Sequence, residues 1–171
     1  MNSALTFTGS PYTSFMHETK VTLSNGIELH VEIGGQPEHP AIMLIMGLGA
    51  QLLFWPDFFC KSLIDQGYRV IRFDNRDIGL SSKIRHSGPR LNTLKLMGRF
   101  ALGLENQGAP YNLYDMAEDA ALLIDHLELD NVSVLGASMG GMIAQILAAK
   151  HPQKVSNLGL MFTSNNQPLL P

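Results

Sequence analysis

The apolar residues of this chain fall into short continuous runs, separated by segments in which apolar residues recur at helical spacing. Continuous runs are typical of parallel strands that are covered on both faces. The predicted strands of this kind are Ala41–Met46, Arg69–Phe73, Val132–Leu135 and Val155–Phe162. The predicted helices are Phe54–Leu63, Leu91–Leu104, Tyr114–Leu127 and a segment through Met142–Leu147. Strands and helices in this alternation predict an α/β fold with a mainly parallel sheet and helices on both faces.

The N-terminal part has a different pattern. Lys20–Leu23 and Ile27–Ile33 are rich in β-forming residues and are joined by Asn25-Gly26, a common hairpin turn. Apolar and polar residues alternate in the second run, which predicts an antiparallel hairpin with one wet face and makes His30 a surface residue. Residues 1–17 show no periodicity and are predicted to form a flexible arm, followed by one domain over residues 18–171.

The run that begins at Val132 ends in Gly136-Ala137-Ser138-Met139-Gly140, and a helical pattern follows. A G-x-S-x-G segment between a strand and a helix favours a nucleophile elbow, in which the serine sits on a strained turn. The two glycines allow the strand and the helix to approach each other. The simpler alternative is an ordinary strand-to-helix turn that carries a solvated serine.

Composition narrows the class of protein. The chain has 171 residues, a net charge of −3 and 16% charged residues, so it lacks the basic face that nucleic-acid binding needs. No apolar run reaches the length of about 20 residues that a membrane span requires. Residues 1–20 do not have the character of a signal peptide. A single cysteine, Cys60, excludes an internal disulfide and fits a reducing, cytoplasmic environment; we expect a buried, inert thiol.

The motifs together resemble the α/β-hydrolase fold family from about residue 17 to residue 163. The run from Val70 to Ser81, which contains Asp74-Asn75-Arg76-Asp77, precedes Gly136–Gly141 as it does in that family. This order is most similar to the esterase branch that includes aclacinomycin methylesterase. The resemblance implies an α/β-hydrolase domain, of which this chain would be the N-terminal portion with the C-terminal part absent.

Carried over residue by residue, the resemblance implies that Ser138 is the nucleophile. The backbone N–H of Met139 would be one oxyanion donor. The second donor would come from the loop Met46-Gly47-Leu48-Gly49, and we assign it to the Leu48 N–H. Taken alone, Gly47 and Gly49 would indicate only a tight turn after a strand. Met46 stands where the family often has histidine, but the donor is a backbone group, so this departure affects the packing of the loop more than the chemistry.

Other polar residues near these motifs suggest structural roles. Asp74, Arg76 and Asp77 could suggest acid–base or metal chemistry, but no histidine accompanies them at ligand spacing. A turn held by carboxylate–guanidinium contacts and Gly79 is the preferred interpretation. Trp55 is expected to pack the following helix onto the sheet. We therefore predict neither a cofactor nor a metal site.

A serine nucleophile needs a base that is held by a third group. No Asp or Glu follows Ser138, and the only later histidine, His151, ends the helix and is expected to cap it. His126, in the preceding helix, has no predicted route to Ser138. We expect the missing acid and histidine to lie beyond the chain, which would leave Val155–Phe162 at an exposed apolar edge. Self-association, a partner chain or a missing remainder would cover that edge.

The resemblance implies hydrolysis of a small-molecule carboxylic ester through an acyl-enzyme on Ser138. The chain alone would show at most the weak catalysis that remains when triad members are absent. Haloperoxidase-like activity without a cofactor would use the same residues. The alternative from another class is a non-catalytic ligand-binding or interaction protein on a hydrolase scaffold. The identity of the substrate is not readable from the sequence.

Overall fold

A seven-stranded mixed sheet forms the frame of the computed structural model, which describes residues 8–9, 15–84, 98 and 110–165. The strands are β1 (Thr8–Gly9), β2 (Met16–Thr22), β3 (Glu28–Gly34), β4 (Ala41–Ile45), β5 (Arg69–Phe73), β6 (Val132–Ala137) and β7 (Val155–Met161). The helices are α1 (Asp57–Asp65), α2 (Leu113–His126) and α3 (Met139–Lys150), with a 3-10 turn at Leu52–Phe54.

The sheet has the strand order β1-β2-β3-β5-β4-β6-β7. Strands β1, β2 and β3 pair antiparallel with their neighbours, and β3 joins the rest of the sheet through antiparallel pairing with β5. Strand β4 pairs in parallel with both β5 and β6, and β6 pairs in parallel with β7. The α/β fold with an antiparallel N-terminal hairpin is therefore confirmed.

Each face of the sheet has its own hydrophobic core. Met43 and Ile45 of β4 pack on one face with helices α2 and α3. Leu44, between them in sequence, packs on the other face with Cys60 of α1 and with Trp55. Successive side chains of a strand point to opposite faces, so both faces of β4 are covered and its residues read as one continuous apolar run.

Helix α1 begins later than the sequence pattern predicts. Phe54 belongs to the 3-10 turn, and α1 starts at Asp57 after Pro56, which is the N-cap residue in an extended conformation. Trp55 is also extended, because a residue before proline is disfavoured in the helical region. The proline therefore sets the start of α1.

Part of the segment predicted as a flexible arm belongs to the sheet. Thr8 pairs with Glu18 and Gly9 with His17, and β2 itself begins at Met16. The domain boundary placed after residue 17 stays a prediction. The predicted helix Leu91–Leu104 lies outside the described residues, apart from Gly98.

The strand predicted at Val155–Phe162 is present as β7, but among the described residues it is not buried; it lies at the exposed apolar edge that is also predicted for it. Strand β7 is last in the sheet order, and most of its residues are exposed. Apolar side chains remain in water there, and Phe162 just beyond the strand is 77% exposed. The segment is apolar as predicted, but none of the described strands pairs with the edge of β7 that faces away from β6.

Candidate active site

Ser138 lies at the junction of β6 and α3, at one edge of the sheet. Its backbone has φ 54° and ψ −125°, in the left-handed half of conformational space that a non-glycine residue rarely adopts. Such a conformation costs about 1–3 kcal/mol and persists only where the surroundings enforce it. The strained turn directs an exposed serine out of the sheet edge, as the G-x-S-x-G pattern predicts.

The two glycines of the motif are required by close backbone contacts. A Cβ atom on Gly140 would collide with the carbonyl oxygen of Ile45 in β4, and one on Gly136 would collide with the carbonyl oxygen of Gly140. Strand β6, the first turn of α3 and the end of β4 therefore meet without intervening side chains. This close approach explains the spacing of the motif.

Three hydrogen bonds hold the backbone of Ser138. Its N–H donates to the carbonyl oxygen of Met161 over 3.0 Å, and its own carbonyl accepts from the Gly141 N–H over 2.9 Å. The same carbonyl accepts from the hydroxyl of Thr163 over 2.6 Å. Two of the three partners lie in β7 or directly after it, so the last strand of the sheet fixes the serine. No motif in the sequence identifies Thr163.

The loop predicted to supply an oxyanion donor lies directly over the serine. A Cβ atom on Gly47 would be 3.0 Å from the Cβ atom and 3.3 Å from the Oγ atom of Ser138, so only glycine allows this approach without a shift. Leu48 follows with a side chain that is 47% exposed. Met139 is the first residue of α3, where a backbone N–H has no acceptor within the helix. The structure thus brings Ser138, Met139 and the loop of Leu48 to one place.

Asp74 anchors the far end of that loop. Its Oδ1 atom accepts from the Leu52 N–H over 2.8 Å, and its Oδ2 atom accepts from the Leu80 N–H over 3.0 Å. Asn75 adds a second anchor, because its Nδ2 atom donates to the carbonyl oxygen of Met46 over 2.9 Å. Gly79 has φ 47°, and a Cβ atom on it would collide with the Asp74 carboxylate. The turn after β5 therefore supports the loop over Ser138.

His30 is a buried partner of Asp74, although its sequence pattern predicts a surface residue. It is 5% exposed, with Nδ1 3.1 Å from Asp74 Oδ2 and Nε2 2.9 Å from Glu18 Oε1. The prediction of a surface histidine is wrong, because alternation identifies a polar face but does not show whether that face is covered. The statement that no histidine accompanies Asp74 at ligand spacing holds for the sequence; in the fold, His30, 44 positions away, contacts Asp74.

His30 and Asp74 each shift the pKa of the other in favour of the charged form. Burial alone would lower the pKa of His30, but the hydrogen bond to Asp74 and the charges of Asp74 and Glu18 outweigh it and raise that pKa above 6.5. Burial alone would raise the pKa of Asp74, but the hydrogen bonds from His30, Leu52 and Leu80 outweigh it and lower that pKa below 3.8. Between these values both groups are charged in the folded protein.

A second buried ion pair lies on the same face of the sheet. Arg72 donates from Nε and Nη2 to Glu32 Oε2 over 2.8 and 2.6 Å, and from Nη1 to the carbonyl oxygen of Trp55 over 2.6 Å. The Trp55 ring stacks on Phe59 at 5.8 Å between centroids, so it packs α1 onto the sheet as predicted. Cys60 is buried beside Arg72, and burial raises the pKa of its thiol to about 11.

The contact of Arg76 is with α2. Its Nε and Nη2 atoms each donate to the Asp119 carboxylate over 2.6 Å, and Asp119 also accepts from Asn25 over 2.8 Å. The predicted carboxylate–guanidinium contact is therefore present, but its acid comes from a helix distant in sequence. Among the described residues, no three His, Cys, Asp or Glu side chains are placed to hold a metal ion.

The two histidines weighed as possible bases, His151 and His126, lie at the C-terminal ends of α3 and α2. His151 follows the C-terminal end of α3 and contacts Glu118 over 3.0 Å. That helix has 12 residues and is therefore about 18 Å long. His126 ends α2.

Comparison with known proteins agrees with this architecture. A family model described as the alpha/beta hydrolase fold matches residues 40–170. Rhodomycin D methylesterase of Streptomyces peucetius is 30% identical over 143 residues, which cover 84% of this chain and 41% of that protein. The chain thus spans about two-fifths of the length of the curated relatives it matches.

Solved structures show the same relation. A hydrolase from Pseudomonas aeruginosa superposes with a TM-score of 0.67 and 29% identity, over 86% of this chain and 46% of that one. The enol-lactonase from Burkholderia xenovorans gives a TM-score of 0.66 and 26% identity, over 85% of this chain and 46% of that one. In the part of the chain that the structure describes, no helix is long and apolar enough to cross a membrane.

Proposed function

The chain belongs to the alpha/beta hydrolase fold family, and on this premise we propose that it carries the nucleophile and oxyanion donors of a serine esterase. The observation that supports the proposal most is the strained Ser138 turn under the Gly47 loop. A fold alone does not determine a reaction, but a serine held at positive φ between a strand and a helix is the geometry of the nucleophile elbow in this family.

In the proposed reaction the Ser138 Oγ atom attacks the carbonyl carbon of the ester, and its proton passes to a general base. The negative charge that develops on the carbonyl oxygen is stabilised by the N–H groups of Met139 and Leu48. The alcohol then leaves with a proton, and an acyl-enzyme remains. Water releases the acid in a second addition and restores Ser138. Loss of one oxyanion donor typically lowers the rate about 10²–10³-fold.

The base and its supporting acid are proposed to come from residues outside the 171 of this sequence. After Ser138 the sequence contains no Asp or Glu, and His151 is bound to Glu118 at the other end of α3. We therefore expect the 171-residue chain alone to be almost inactive. We propose a small-molecule carboxylic ester as substrate, no cofactor or metal, and a cytoplasmic location in keeping with the unpaired Cys60.

The experiment that tests this proposal is covalent labelling of the natural full-length protein with a fluorophosphonate, followed by peptide mapping. We expect one label per molecule on Ser138, none in Ser138→Ala, and full labelling in Ser62→Ala, whose serine lies exposed on α1. An activated serine is needed for labelling, whereas ligand binding needs none. An unlabelled Ser138 in a folded protein would favour the rival function, a ligand-binding protein on a hydrolase scaffold.

We also propose that the outer edge of β7 is covered in the natural protein by another copy, another chain or further residues of the same polypeptide. Leu158, Leu160 and Phe162 are exposed there, and an open apolar edge strand promotes association. Sedimentation of the natural protein together with hydrogen exchange at Val155–Phe162 tests this. A monomer whose β7 amides exchange freely would contradict it.

A further inference from the structure

The side chain of Thr163 contacts the turn that carries Ser138. It follows β7, and its Oγ1 atom donates to the carbonyl oxygen of Ser138 over 2.6 Å. That carbonyl belongs to the peptide group that links Ser138 to Met139. The N–H of the same peptide is the proposed oxyanion donor, so Thr163 binds one end of the group whose other end faces the reacting atoms.

The side chain of Thr163 is seated on the first turn of α3. A Cβ atom on Gly141 would lie 2.7 Å from the Cβ, Cγ2 and Oγ1 atoms of Thr163. The second glycine of Gly140-Gly141 therefore leaves room for the threonine. Gln145 fixes the same segment, because its Nε2 atom donates to the carbonyl oxygens of Gly141 and Ser164 over 3.1 and 2.6 Å.

These contacts restrict the peptide that carries the donor. The Ser138 carbonyl accepts from the Gly141 N–H and the Thr163 hydroxyl, while the Ser138 N–H is bound to Met161. A peptide group that accepts a hydrogen bond at its oxygen is polarised and becomes a stronger donor at its nitrogen. The second acceptor site of this carbonyl is therefore used to orient and strengthen the Met139 N–H.

We propose that Thr163 is a positioning residue of the esterase site, which acts through the Ser138–Met139 peptide to aim and polarise the Met139 N–H toward the oxyanion. Thr163 does not touch the reacting atoms. The inference rests on the proposed function for its catalytic consequence, but its structural part, the coupling of Thr163 to the Met139 amide, can be measured independently.

The test compares Thr163→Val, which keeps the shape and loses the donor, with Thr163→Ser, which keeps the donor. In the natural full-length protein we expect Thr163→Val to lower kcat about fivefold, the size of one neutral hydrogen bond, with KM unchanged. Thr163→Ser should restore kcat. Thr22→Val, an exposed threonine of β2 at the other side of the sheet, is the matched control and should behave as wild type.

The second readout is the amide nitrogen chemical shift of Met139, which responds to hydrogen bonding at the preceding carbonyl. We expect it to move in Thr163→Val and to return in Thr163→Ser. If Thr163→Val does not fold, Thr163→Ala takes its place in both assays. An unchanged Met139 resonance and an unchanged kcat would overturn the inference while Ser138→Ala still abolishes activity. If Ser138→Ala stays active, the proposed function fails, and the Met139 resonance alone then decides the coupling.

Discussion

Two regions of the sheet, one around β3 and β5 and the other around β7, hold the candidate site by different kinds of contact. On the β3–β5 side, the loop over Ser138 is supported by buried charges that have partners among the described residues, notably Asp74 with His30 and Arg72 with Glu32. On the β7 side, Ser138 is held by Met161 and Thr163, in a segment whose apolar side chains are exposed. The first set of contacts supports the loop over Ser138, whereas the second holds the backbone of Ser138 itself.

The difference shows which part of the site is held by contacts within the described residues alone. Burying an ion pair costs free energy, because both charges lose contact with water. Once the pair has formed, removing one partner leaves a buried charge without compensation, so the pair resists being broken. The β3–β5 side is thus fixed by contacts within the described chain. The β7 side depends on backbone hydrogen bonds at a sheet edge, and such bonds are the first to open when the edge is in water.

The largest effect is expected from breaking the Arg72–Glu32 pair. Glu32→Leu leaves the buried Arg72 guanidinium with the partly exposed Asp57 carboxylate, 3.0 Å away, as its remaining charged partner, and we expect the free energy of unfolding to fall by about 3 kcal/mol, the lower end of the range for a broken buried pair. Urea denaturation measures this loss. Glu32→Leu combined with Arg72→Met removes both charges and should recover most of the loss. A double variant as unstable as the single one would show that Arg72 serves the fold in another way.

A smaller loss is expected at the contact between the β7 segment and α3. Gly141→Ala places a methyl group 2.7 Å from three atoms of Thr163, and overpacking of this kind costs about 1–3 kcal/mol. The Thr163 hydroxyl should move away from the Ser138 carbonyl, which the Met139 amide resonance detects. The double variant Gly141→Ala, Thr163→Ser lacks one of the colliding methyl groups and should recover part of the stability; no recovery would contradict the contact.

The next prediction concerns the pH dependence of stability, which tests the contacts of His30 and Asp74 on the β3–β5 side. Because the pKa of His30 is raised above 6.5 in the folded state, its contribution is complete below pH 6.5 and is lost as pH rises through the folded value. Because the pKa of Asp74 is lowered below 3.8, its contribution is complete above pH 3.8 and is lost as pH falls through its folded value. A tenfold difference in proton affinity between the folded and unfolded states corresponds to about 1.4 kcal/mol of stability.

His30→Gln should therefore remove the loss of stability above pH 6.5 that we expect of the wild-type protein. The groups that face His30 are Asp74 and Glu18, so Glu18→Gln should reduce the same slope only in part. Thermal or urea unfolding over a pH range that brackets 6.5 provides the measurement. Identical slopes in wild type and His30→Gln would show that His30 does not titrate in this range.

The smallest effect is expected at Phe162. Its side chain is 77% exposed, and substitutions at such positions change the stability by no more than about 0.5 kcal/mol. Phe162→Lys should therefore be nearly neutral if the edge is open. If a partner or further polypeptide covers the edge in the natural protein, a much larger loss of stability or of association will be measured. That result would show that contacts outside the described residues hold β7 in the natural protein.

Local patterns in the sequence predict the strands and the nucleophile turn far better than they predict the supports of that turn. The turn at Ser138 follows from such patterns, since apolar runs and glycine spacing are encoded near the atoms they place, whereas the role of the Gly47 loop follows only from the family resemblance. The burial of His30 does not follow, because a polar alternating face looks the same whether water or protein lies over it. Thr163 carries no motif at all; its role arises only when β7 pairs with β6, which brings residues 25 positions apart into contact.

The buried thiol of Cys60 has a practical consequence for reagents that modify proteins. With a pKa of about 11, only about one thiol in 10⁴ is ionised at neutral pH, and the thiolate is the reactive form. Cys60 is the only cysteine of the chain. Thiol-reactive electrophiles should therefore modify Cys60 little, so this thiol should add little background to covalent labelling of Ser138.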